Sequence, residues 1–429
     1  MKQTDSLSKM LHNAEALQAS RQSRSAGVIA QMFERFRRQA ASLHDAISKA
    51  WTCDCRPSHS SKLILARSDQ RAGKGGRLGC ASPPRERKLK VVLPFSAVPA
   101  AQKDDVKASA ELPAGRWCTA EACAVGEPES SHPRHRMSIS TQPIRAFDEN
   151  RRQRFSISSA HSHQTSLSSS TSQDSRQTSV TTPDGPQVID NLCHALRDRT
   201  ESRSELGYLF DGSSAYHMLT VLSGTSIPGT AAEIVSLGQI LSEAAESPSS
   251  IDEEFPRLDR LSVALIVAQS MLELCPSPWL PYAWNKNDIH FFVDKKGRIM
   301  SEHPFLVCRN RAASPVAADS SDFSGALLSL GTLVLEMWYA KPLESQPFWR
   351  AYSGPDGSEN EFARRTAAIS WQSKMRTECG YPLHSITRWC IFGDFGPGDA
   401  NLDNQKLVQD VYNKVVRELE AVLHGFEGL

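Results

Sequence analysis

From about Ala100 to Pro186 the chain is so rich in Ser, Thr, Gln, Pro and Arg that few side chains are left to build a core. The entropy lost on ordering such a segment is not offset by burial, so the composition predicts a disordered linker. Apolar patterning on either side then divides the 429 residues into three parts. These are an N-terminal helical segment with one strand (1–99), the linker (100–186), and a mainly helical domain (187–429).

Leu7 to Trp51 carries apolar residues at helical intervals, interrupted near Ser23 to Gly27, which predicts two amphipathic helices. Val28, Met32, Phe33, Phe36, Leu43 and Ile47 form a stripe that suits either self-association into a homo-oligomer or packing onto the C-terminal domain. Leu89 to Phe95 reads as a strand. Beyond the linker, helical periodicity marks Val188 to Leu196, Glu233 to Ala245, Leu258 to Leu274, Ser324 to Tyr339, Glu359 to Glu378 and Asn404 to Leu423. Strand-like runs flank Asp211-Gly212 and the turn Asp294 to Gly297. The expected fold class is therefore mainly α (α+β), with small β-hairpins. Leu89 to Phe95 could still join Leu206 to Leu222 in a sheet if the linker is an insertion between strands.

Lys plus Arg (49) nearly cancels Asp plus Glu (48), which gives no global electrostatic reason to expect nucleic acid as a partner. The most apolar run, Ala326 to Tyr339, is short of the roughly 20 residues of a transmembrane helix and carries Glu336. Ten cysteines lack the spacing of a disulfide framework, and no signal-peptide pattern opens the chain, so a reducing cytoplasmic or nuclear setting is expected. Cys53, Cys55 and His59 are soft donors, but a fourth is missing unless Cys80 folds in. Packed thiols are the simpler expectation, with no metal and no cofactor.

The order of motifs in the C-terminal half resembles the C-lobe of a protein kinase. Leu258 to Leu274 resembles the helix before the catalytic loop, and Ile289 to Ile299 the strand pair closed by a turn. Ser329-Leu330-Gly331, Glu336 and Lys341-Pro342 resemble the central hydrophobic helix. Pro281, Tyr282 and Ala283 stand where His-Arg-Asp would be, and His303-Pro304-Phe305 where the magnesium-binding Asp-Phe-Gly would be. Asp394-Phe395-Gly396 spells that triplet but lies after the central helix. Gly73, Lys74, Gly75 and Gly76 lack the third glycine of a phosphate loop, and Lys90 reads as a surface lysine. No catalytic residue is expected.

The wider set, from Leu43-His44-Asp45-Ala46 and Trp51 to Cys55 through Pro278-Trp279-Leu280, Trp284 and Asp288-Ile289 to Trp389-Cys390, resembles an uncharacterised fungal family. Its members are similar to prion-inhibition-and-propagation and incompatibility proteins, and the resemblance implies signalling or self-recognition without catalysis. Trp279, Tyr282, Trp284 and Asp288 form the candidate interaction loop for a protein partner, although buried aromatics capping a core are the commoner fate. Ser138 and Ser156, each placed shortly after arginines, are candidate phosphosites. Two alternatives stand beside this reading: an atypical ATP- and magnesium-dependent phosphotransferase using Asp288, Glu302 or Asp319, and a self-associating structural protein.

Overall fold

The computed structural model describes residues 27–56, 59–67, 88–95, 116–125, 187–199, 204–224, 227, 233–247, 251–308, 323–352, 360–396 and 401–427. Residues 7–17, Gly73 to Gly76, Cys80, Ser138, Ser156 and Asp319 lie outside them. Every element below belongs to one compact unit, Met1–Glu127 with Pro186–Leu429.

Eight strands make a single sheet. They are β1 (Ser61–Ile64), β2 (Leu89–Phe95), β3 (Arg116–Val125), β4 (Glu205–Phe210), β5 (Tyr216–Val221), β6 (Glu233–Ser236), β7 (Ile289–Val293) and β8 (Phe305–Cys308). Their order is β4-β5-β3-β2-β1-β8-β7-β6, antiparallel throughout. This corrects the expectation of a mainly helical domain with small hairpins: the sheet is a principal layer of an α+β fold. Strands of four residues, such as β1 and β8, are too short to show alternation, and pairing between segments far apart leaves no local period. Within the expected linker, Arg116–Val125 is β3, which pairs with β2 on one side and β5 on the other. It alternates buried Cys118, Ala120 and Ala122 with more accessible residues, so small apolar side chains build a core face in a segment whose neighbours hid it. Leu89–Phe95 thus does share a sheet with the β4–β5 hairpin.

The helical layer gathers around α6 (Phe323–Tyr339), in which residues from Ala326 to Trp338 are buried on every face. Such an all-round apolar helix is stable only when covered on all sides. Against it pack α5 (Arg257–Leu274), α8 (Glu361–Cys379) and α9 (Tyr381–Phe392), while α11 (Arg417–Glu427) closes over α5 and α9. Gly331 lets α6 and α9 approach closely, because a Cβ there would lie 2.8 Å from both Cys390 Cβ and Ile391 Cγ1. Buried Arg260 ties α5 to α6 by donating from Nε to the Met337 carbonyl at 2.8 Å. The expected helix Glu233 to Ala245 is split: β6 runs to Ser236, which caps the next helix (Leu237–Glu246) in a capping box with Gln239.

The N-terminal helix α1 spans residues 27–50. It is held by the rest of the chain: Phe33 meets the Tyr412 ring at 6.0 Å, Arg37 donates to the Leu272 carbonyl at 2.8 Å, and Trp279 Nε1 donates to the Ala40 carbonyl at 2.8 Å. Of the apolar stripe, Phe33, Leu43 and Ile47 are buried in this way, whereas Val28 and Met32 remain exposed. The face available for self-association is correspondingly reduced.

Candidate functional site

The loop between α5 and β7 is core-facing. Trp279 and Trp284 are 4% and 1% exposed, Trp279 meets His44 of α1 edge-on at 5.5 Å, and Tyr282 packs partly buried against the same core. Three of the four residues proposed as an interaction loop are thus used inside the fold. The fourth, Asp288, is exposed, but its carboxylate accepts the Asn285 backbone N–H at 2.9 Å while the Asn285 side chain caps the same short 3-10 turn, Lys286–Asp288. Asn-x-x-Asp spacing favours such reciprocal capping, which leaves Asp288 as a turn residue.

Beside it lies a buried charge cluster. Lys286 Nζ donates to Glu336 at 2.6 Å and to Glu344 at 2.5 Å, and Glu336 also accepts the Leu343 N–H at 2.8 Å. Burial pushes the Glu336 carboxyl up, opposed by Lys286. Burial alone would lower Lys286, but the two carboxylates hold its ammonium above the ordinary lysine value. Glu336 of the central helix is therefore a structural counter-ion to the loop. Its neighbours serve the same joint: the Lys341 N–H donates to the Glu336 carbonyl at 3.3 Å and Pro342 opens a 3-10 turn, Leu343–Ser345. Ser329 is buried beside Leu330, and Arg364 reaches its hydroxyl at 3.4 Å.

The remaining motifs fall apart as sites. Phe305 opens β8, and the Pro304 carbonyl just before it accepts the Leu65 N–H at 2.8 Å, so His303 to Phe305 leads into the sheet. Asp394 is exposed after α9, and Phe395 anchors that turn by packing on Trp389 at 5.8 Å. Lys90 is exposed on β2, whereas Lys62 on β1 is buried and stands 4.7 Å over the Trp117 ring. Burial lowers the Lys62 pKa to about 8.

Two further clusters stand out, one that the sequence does not announce and one of which it shows three members of four. In the first, Ser42 of α1 contacts both Asp211 Oδ2 and His217 Nε2 at 2.8 Å. Serine, histidine and aspartate suggest a hydrolytic triad, yet here the serine sits between the other two, so its proton goes to the carboxylate and the imidazole cannot act as its base. Asp211 instead organises the β4–β5 turn, accepting the N–H groups of Ser213, Ser214 and Ala215. Burial would raise its pKa, but these bonds hold it well below the carboxylate range. Burial lowers His217 to about 4, with Asp211 opposing.

In the second cluster, Cys53, Cys55, His59 and Cys193 place one donor atom each within 4.8 Å of one another. His59 Nε2 lies 3.2 Å from both the Cys53 and Cys55 sulfurs, and Cys55 Sγ lies 3.7 Å from Cys193 Sγ. Cys193 enters from a six-residue helix α2 (Leu192–Arg197), 138 residues further along the chain than Cys55. No sequence spacing announces it, because the partner lies across the whole linker.

The fold and these sites define an α+β protein in which an antiparallel sheet and a central apolar helix share one core. The chain belongs to a family described as a domain of unknown function (DUF7580), whose family model matches residues 129–351. No curated protein and no solved structure matches it.

Proposed function

We propose that this protein is a non-catalytic interaction and signalling module. The observation that carries the reading is the fate of the charged groups after α5: Asp288 is spent in capping its own turn, and Lys286 is neutralised by Glu336 and Glu344. Phosphoryl transfer needs a carboxylate base and metal-holding groups directed at substrate, and groups already satisfied within the fold are not poised for that work. The order of α5, the loop, β7, its turn at Asp294 to Gly297 and α6 supports kinship with the C-lobe of kinases. Self-recognition signalling of the fungal incompatibility type is the finer reading that the residue set favours. Among the described residues no helix is long and apolar enough to cross a membrane.

The test is a thermal-shift and calorimetric titration with ATP and magnesium on the full chain and on Asp288→Ala. The expected result is no shift at millimolar nucleotide in either protein. Saturable, magnesium-dependent binding that disappears in Asp288→Ala would restore the phosphotransferase alternative.

A further inference from the structure

We propose that Cys53, Cys55, His59 and Cys193 form a structural zinc site that clamps the segment after α1 to helix α2. A tetrahedral zinc ion with Zn–S near 2.3 Å and Zn–N near 2.0 Å requires donor separations of roughly 3.8 Å for sulfur–sulfur and roughly 3.5 Å for sulfur–nitrogen edges. Three of the six edges, at 3.7, 3.2 and 3.2 Å, lie within a few tenths of an ångström of that figure, and all four donor atoms lie within 4.8 Å of one another, so small side-chain adjustments close the shell. Four protein donors close the coordination shell, as in structural rather than catalytic zinc sites. Thiolate and imidazole together select zinc over the hard cations, and a Cys3His set departs from the all-cysteine shell of most iron–sulfur clusters.

The surroundings hold the donors in place. The chain curls through Arg56, which donates to the Cys53 carbonyl at 3.0 Å and whose carbonyl accepts the His59 N–H at 3.0 Å, so that Cys-x-Cys-x-x-x-His points to one centre. His59 is 4% exposed and stacks on Trp51 at 4.2 Å, which fixes the plane of its ring. Thr52 donates to the Asp190 carbonyl at 3.1 Å, and Leu192 and Leu196 anchor α2 in the core beside Cys193. Binding replaces the three thiol protons, which leave to solvent, while His59 coordinates through the neutral Nε2 lone pair. The bound site keeps one negative charge in excess.

The full chain is purified under reducing conditions and its zinc content measured, together with the visible spectrum after cobalt replacement. Expected are about one zinc per chain and the intense ligand-field and thiolate charge-transfer bands of tetrahedral cobalt. Both should be lost in Cys193→Ser and kept in Cys379→Ser and in His59→Cys, which supplies an all-thiolate shell. Because Cys193→Ser could unfold, the wild-type and His59→Cys spectra decide independently. Folded wild-type protein that takes up no zinc overturns the proposal. So does folded Cys193→Ser that retains zinc.

Discussion

Among the described residues, His217 carries the clearest pH dependence. Its ring is fully buried against Ser42 and Asp211, and Nδ1 has no hydrogen-bond partner among the described residues. Burial sets its folded pKa at about 4, below the ordinary 6.5, so the unfolded chain takes up the proton first as pH falls. Its contribution is therefore complete above about pH 6.5 and is lost as pH falls through 4. Between about pH 7 and pH 5 the expected loss is about 2 kcal/mol, read as a fall in urea midpoint. His217→Gln should flatten that dependence, and an unchanged slope in the variant would sink the assignment. At this scale little of either cluster is legible in the sequence. Cys53, Cys55 and His59 are close enough along the chain to be noticed as soft donors, but Cys193 and the pairing of Ser42 with the β4–β5 hairpin depend on contacts that only tertiary structure makes.

Among elements, the junction of the loop after α5 with α6 depends on one buried charge balance. Glu336 is 2% exposed and its compensation comes from Lys286 and the Leu343 N–H. Lys286→Met should cost about 3–5 kcal/mol by stranding that carboxylate, whereas adding Glu336→Leu to it should recover most of the loss. Chemical denaturation of both variants checks this, and a double variant no more stable than the single one would refute it. The helices α5 and α6, buried nearly all round, were legible as apolar runs too long for a strand. The strands were not, apart from β2, the β4–β5 hairpin and β7. A strand such as β1, with all four residues buried and its neighbours β2 and β8 distant in sequence, presents a short apolar run that fits any buried element.

For the whole molecule, the sheet order carries the largest consequence. Strands β4 and β5 lie on one side of β1–β3, and β6–β8 on the other. The matched segment 129–351 contains both flanks but none of the three central strands. Expressed alone, it should expose the edges of β5 and β8 and aggregate, a result that size-exclusion chromatography and circular dichroism would show. A monomeric, cooperatively folded fragment would contradict this. The β3–β5 ladder, with six paired positions from Ala120–Val221 to Val125–Tyr216, spans the 128–185 segment. The protein is thus built like a split reporter whose halves happen to be joined: severed at a protease site engineered between them, residues 1–127 and 186–429 would still complement each other as a two-chain complex.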